Sequence, residues 1–168
     1  MLKPLTLLSI FLCSVFSASA QDSLATYWQQ LPEPTGWVND FEDLFTPEQE
    51  STLDSLLADY EQQTTREMVV VTIPTYATPI ERFDALALFI LKDWDIGKPE
   101  MDNGMVIAIS KGHGSMRIEY GGGISMLMTN EQTKQIIDEN IIPQFKEGDF
   151  YTGVVDGIEA IKQLLPDE

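Results

Sequence analysis

The chain has 168 residues, with 27 acidic against 10 basic side chains, a formal net charge of −17 and 43% hydrophobic residues. That length suits one domain with a sizeable core. Such a charge repels nucleic acid and anionic lipid over a screening length of ~8–10 Å, so neither is expected as a partner.

Met1 to Ala20 carries Lys3 as its only charge, an apolar segment from Leu5 to Phe16, and Ala18-Ser19-Ala20 as a small-x-small cleavage site. This pattern predicts a secretory signal peptide over 1–20, hence an exported protein, periplasmic or extracellular. Cleavage after Ala20 would remove one basic residue, leaving 148 residues of net charge −18. It would also remove Cys13, the single cysteine, and with it any disulfide, thiol nucleophile or thiolate ligand. Leu12 precedes Cys13, which argues against a lipoprotein.

Residues 21–35 are polar and Pro-containing and read as a lead-in to a single domain over 36–168. Thr46-Pro47-Glu48-Gln49 supplies an N-cap, a proline at the first helical position and a capping-box partner. A helix follows, with Leu53, Leu56, Leu57 and Tyr60 on its core face. Met68 to Ile73 is short, β-branched and almost continuously apolar, as a strand buried on both faces should be. Thr78-Pro79-Ile80-Glu81 repeats the capping pattern before a second helix that reaches about Asp93.

Met105 to Ile109 and Met116 to Tyr120 are joined by a short Gly-containing turn and predict an antiparallel hairpin. The loop entering the first strand and the glycines leaving the second must then lie at one end of the sheet. Asp102, Asn103 and Gly104 thereby become neighbours of Gly121, Gly122 and Gly123. Thr129-Asn130-Glu131-Gln132 caps a third helix, which Pro143 should end, and a fourth helix runs to about Leu165. Helices alternating with apolar strands predict an α/β protein, with helices on both faces of a small mixed sheet. No second hydrophobic segment is long enough to span a bilayer.

G-W-V-N-D (Gly36 to Asp40), W-D-I-G (Trp94 to Gly97), D-N-G (Asp102 to Gly104) and R-I-E-Y-G-G-G (Arg117 to Gly123) occur in this order. In this the chain resembles the TPM-domain family, over roughly Gly36 to Leu165. That family includes thylakoid-lumen photosystem-repair proteins, an accessory protein of worm acetylcholine receptors and many exported bacterial proteins. The resemblance implies a three-layer α/β/α sandwich and an acidic position at Asp40. Many bacterial relatives continue into a transmembrane helix and a Gly/Ser-rich tail, whereas this chain stops at Glu168, so a soluble, monomeric product is expected.

Asp102 and Asn103 beside exposed glycine backbone offer oxygen-only ligands suited to a hard cation such as calcium. Glu119 could add a carboxylate or instead pair with Arg117 or Lys111 across the hairpin, and Asp40 is a further candidate. If the first helix runs antiparallel to the strand after it, Asp40 lies at the far end. Gly97, Gly104 and the triple glycine are the backbone members, and a tight exit of positive φ is expected at Gly121 to Gly123. Asp93-Trp94-Asp95 opens neither a calcium-binding EF-hand loop, which would need an oxygen ligand where Gly97 stands, nor a phosphatase nucleophile, which should leave a strand. His113 is the sole histidine and no nucleophile elbow surrounds any serine. Two functions fit: a calcium-binding accessory or interaction module for an unidentified protein of the cell envelope or a membrane-protein complex, or a metal-dependent acid phosphatase acting on phosphomonoesters, an activity attributed to some plant relatives. The scarcity of basic residues favours the module, and no catalytic residue stands out.

Overall fold

A computed structural model describes Trp28 and residues 32–165. The signal-peptide segment and most of the lead-in fall outside the described residues.

Four strands form one sheet in the order β1-β2-β3-β4: β1 Val38–Asp40, β2 Glu67–Thr72, β3 Gly104–Ser110 and β4 Ser115–Tyr120. β1 and β2 are parallel, as are β2 and β3, while β3 and β4 form the antiparallel hairpin. The hairpin matches the sequence reading, whereas β1 is an addition. Three residues, V-N-D, are too few to show alternation, and only pairing with Val70, Val71 and Thr72 makes them a strand.

Helix α1, Pro47–Thr64, starts at the capping box of Thr46 and Gln49 and buries Leu53, Leu57 and Tyr60. These side chains join Val38, Met68, Val70, Met105, Ile107, Ile109 and Ile118 in the core on one face of the sheet. Helix α2, Phe83–Asp93, lies on the other face and buries Phe83, Leu86, Ala87, Ile90 and Leu91. The two faces separate by the strand period of two: Ile107 belongs to the first core, and its neighbours Val106 and Ala108 face away from it. Both crossovers step the same way across the sheet while their helices cover opposite faces. They are therefore of opposite hand, against the strong general preference for right-handed connections.

The cap expected at Thr78 is not made. Ile80–Arg82 forms a 3₁₀ turn whose N-cap is Pro79, and the Thr78 hydroxyl is buried without a hydrogen-bond partner. After β4 the chain turns through the short helix α3, Gly122–Ser125, and enters α4, Asn130–Ile136, through the predicted capping box of Thr129 and Gln132. Pro143 does not end the helical path. A proline has no N–H to donate and its ring crowds the preceding turn. The backbone absorbs this by widening into a π turn over Ile137–Ile141, then resumes as α5, Ile142–Lys146. The last helix, α6, Phe150–Leu164, is capped by Asp149, whose carboxylate accepts the Thr152 N–H at 2.9 Å. Helices α1, α4 and α6 back one face and α2 the other, which makes the α/β/α sandwich. No helix among the described residues is long and apolar enough to cross a membrane.

Candidate functional site

The register fixes which ends of the strands meet. Glu67 stands opposite Gly104, and Met105 opposite Tyr120, so Asp102, Asn103 and Gly121 to Gly123 gather at the end of the sheet where β3 begins and β4 finishes. Asp40 pairs with Thr72, which pairs with Ile109, and so lies at the opposite end.

At the first end the backbones touch. A Cβ on Gly104 would stand 2.0 Å from the Ile96 carbonyl oxygen, one on Gly123 2.0 Å from that of Met101, and one on Gly121 2.2 Å from that of Asp102. Gly97, at φ +100°, presses on Gly104 in the same way. None of the three consecutive glycines has positive φ. Their reason is the close approach of two chain segments, which a local turn argument could not anticipate. The residues that do take a left-handed conformation here are Asp95 at φ 52° and Asp102 at φ 47°.

Each predicted ligand has a structural partner. The Asp102 carboxylate accepts the Gly122 N–H at 2.5 Å through Oδ2, and its carbonyl accepts the Gly123 N–H at 2.9 Å. Asn103, only 6% exposed, accepts the Lys98 N–H at 2.9 Å and donates to the Thr65 carbonyl at 2.9 Å. It ties the 95–103 loop to the entrance of β2. Glu67 adds a second tie by accepting the Gly97 N–H at 2.7 Å, and Lys98 a third through its 2.6 Å ion pair with Glu61. That pair holds the Lys98 ammonium above its ordinary range, by the hydrogen bond first and the Glu61 charge second. Glu119 accepts from Arg117 at 2.7 Å, as the sequence allowed, on the face of the sheet covered by α2. Asp40 accepts from the Thr72 hydroxyl at 2.5 Å and the Phe45 N–H at 2.7 Å, closing the path from β1 to α1. Around it, burial raises the Glu50 carboxyl above its usual range, and the nearby charges of Asp40, Asp54 and Asp43 raise it further.

Beside Gly121 and Gly122 opens a cleft of about 350 Å³, lined by Asp95, Asp102, Lys92, Lys98 and the loop between them. Asp95 and the two lysines did not stand out in the sequence as site residues, because they come from the end of α2 and from a loop whose fold is set by non-local ties. The donors fit a hard cation in part: Asp95 and Asp102 line the cleft, with loop backbone around them. Among the described residues no three His, Cys, Asp or Glu side chains gather as a metal-holding group. A cation here would complete its shell of six to eight oxygens from backbone and water, which limits affinity.

The sequence profile of the TPM domain matches residues 38–164, from the first residue of β1 to the last of α6. The chain belongs to the TPM-domain family. Its TPM fold is similar to solved solution structures over nearly its whole extent. The N-terminal domain of a P. gingivalis protein is 23% identical at a TM-score of 0.72, covering 82% of this chain and 90% of that one. The BA42 protein of the psychrophilic bacterium Bizionia argentinensis is 25% identical at 0.62, covering 76% and 88%. The N-terminal domain of the cg2496 protein of Corynebacterium glutamicum, 11% identical at 0.57, covers 80% and 83% and shows the fold alone. No curated protein sequence matches this TPM domain significantly.

Proposed function

We propose that this protein is an exported TPM-domain module that takes a calcium ion at the glycine-bound end of its sheet and docks onto a protein partner of the cell envelope. The observation that carries the calcium reading is the cleft lined by Asp95 and Asp102, both left-handed residues, in which the Asp102 carboxylate lies against the Gly121–Gly122 backbone. Asp102 supplies charge while its Oδ2 holds the Gly122 N–H. Asn103 and Glu119 serve the architecture, since their polar atoms are engaged by Lys98, Thr65 and Arg117, and Asp40 belongs to the other end of the sheet. A bound cation would fix the 95–103 loop against the turn at Gly121. Export rests on the predicted signal peptide over 1–20.

The phosphatase reading draws support from one feature, the presence on the same cleft of Lys92, beside a Lys98 already paired with Glu61, where a phosphate bridged to a cation would meet positive charge. Backbone-amide titration with calcium, run beside turnover of p-nitrophenyl phosphate, separates the readings. The module predicts calcium-dependent movement of the Asp95, Asp102 and Gly122 signals without turnover. Chelator-sensitive turnover would move the assignment to the phosphatase, and unmoved signals without turnover would remove both.

A further inference from the structure

At the opposite end of the hairpin lies a second cleft, of about 370 Å³, between the β3–β4 turn and the elbow that joins α5 to α6. Its walls are apolar: Met116, Ile142, Phe145 and Phe150 line it, with the two rings packed at 4.7 Å between centroids. Helix α6 is shaped to hold this wall. A Cβ on Gly153 would meet the Phe145 ring at 2.7 Å, and one on Gly157 would meet the Ile141 side chain at 2.5 Å, so both glycines admit the α5 side of the elbow against the α6 backbone. The π turn over Ile137–Ile141 runs directly into Ile142, and such turns recur at functional sites.

The charge at the rim is the reverse of the protein's own. Lys111 and Lys146 both line the cleft, and the Lys111 ammonium stands 5.4 Å from the centroid of the Phe150 ring. On a chain of net charge −17, with only ten basic residues, two lysines lining an aromatic-walled cleft select for a ligand with an apolar body and an anionic head. The Glu42 carboxylate, from the loop after β1, accepts the Lys111 and Gly112 N–H groups at 2.8 and 3.2 Å, the Asp149 carboxylate accepts the Thr152 N–H, and neither residue, nor Glu147, is among the lining groups.

We propose that this cleft binds a small amphiphilic carboxylate, its acyl or aryl body against Phe145, Phe150 and Met116 and its head group between Lys111 and Lys146. The volume lies near the lower end of the ~300–1,000 Å³ of small-molecule sites and admits a body of about ten carbons. This ligand site is separate from the calcium cleft and stands whether or not calcium binds.

The test is an amide titration of the full mature chain with sodium decanoate, kept below its aggregation threshold, with octanoate and decanol as comparators. Decanoate should shift signals confined to Ser110, Gly114, Phe145 and Phe150. Octanoate, two methylenes shorter, should bind about fifteenfold more weakly, since each buried methylene contributes roughly a factor of four. Decanol should also be weaker. The double substitution Lys111→Gln with Lys146→Gln should weaken decanoate about fivefold and leave decanol unchanged, as loss of rim cations implies. A substitution of two exposed side chains should keep the thermal midpoint, which serves as the folding control. Shifts that are absent at millimolar decanoate, that spread over the surface, or that are matched by decanol and unchanged in the double variant would overturn the proposal.

Discussion

The β3–β4 hairpin opens into a cleft at each end, and the two are built by different physics. At the Asp102 end, backbone lies against backbone: Gly97, Gly104, Gly121 and Gly123 let two loops approach until a single Cβ would sit 2.0–2.3 Å from a neighbouring backbone atom. At the turn end the cleft is made by side chains, with Phe145 and Phe150 as its wall and lysines at its rim. Within the turn, a Cβ on Gly114 would meet nothing within 4 Å, while one on Gly112 would meet the Thr75 methyl at 2.5 Å. A glycine in the first region is therefore required by backbone that cannot give way, whereas in the second Gly112, Gly153 and Gly157 are crowded by side chains and Gly114 answers only to its left-handed φ.

The sharpest way to break this contrast is a matched pair of substitutions. Gly104→Ala forces a methyl into the Ile96 carbonyl with no flexible side chain to give way, and should cost more than about 3 kcal/mol in chemical denaturation. Gly114→Ala meets only the left-handed φ of +59° and should cost about 1–2 kcal/mol. Equal losses in the two variants would mean that the close approach at the Asp102 end does not govern stability.

A smaller loss is expected from Asn103→Ala. It removes the two hydrogen bonds that the buried Asn103 amide makes to the Thr65 carbonyl and the Lys98 N–H, at about 1–3 kcal/mol in all. The 95–103 loop should show the largest rise in amide exchange. A loss spread evenly over the molecule would deny Asn103 its role as a tie.

The least effect belongs to the turn end, at the cap of α6. Hydrogen bonds from the backbone and side chain of Thr152 hold the Asp149 carboxyl below its ordinary range. A depressed folded-state pKa contributes stability above the unfolded carboxylate range, and that contribution is lost as pH falls through the folded value. Asp149→Ala should accordingly lower the thermal midpoint slightly at neutral pH and not at all in strong acid. A difference that persists unchanged into acid would assign the effect to helix propensity instead of the cap.

The two ends also differ in how far they could be read from the chain. Helix α1, the buried strand β2 and the hairpin follow from local signals: a capping box at Thr46, the apolar run at Met68 to Thr72, and two short runs flanking a glycine turn. The meeting of Asp102 with Gly121 to Gly123 followed from antiparallel geometry alone. What local signals could not supply was non-local. Strand β1 exists through pairing with β2, and Asp95, Lys92 and Lys98 reach the cleft only because Glu67, Thr65 and Glu61 hold the 95–103 loop in place. The triple glycine was visible, but its cause was not, since the segment that crowds it lies twenty residues upstream at Met101 and Asp102. The helical path through Pro143 hid the π turn for a related reason: packing of Ile141 against Gly157 outweighs a local breaker.

Calcium binding by charge at the Asp102 cleft, as proposed above, is tested most directly by the thermal midpoints of the protein and of Asp102→Asn, each measured with chelator and with calcium. Asparagine keeps the acceptor that holds the Gly122 N–H and tolerates the left-handed φ at this position, so it removes the charge and spares the fold. A ligand bound only by the folded state at tenfold excess over Kd stabilises it by about 1.4 kcal/mol, a rise of roughly 3–5 °C for a domain of this size. The account predicts that rise for the unaltered protein, reached at millimolar calcium, and none for Asp102→Asn. A midpoint that calcium leaves unmoved, or that it raises equally in both proteins, would contradict it.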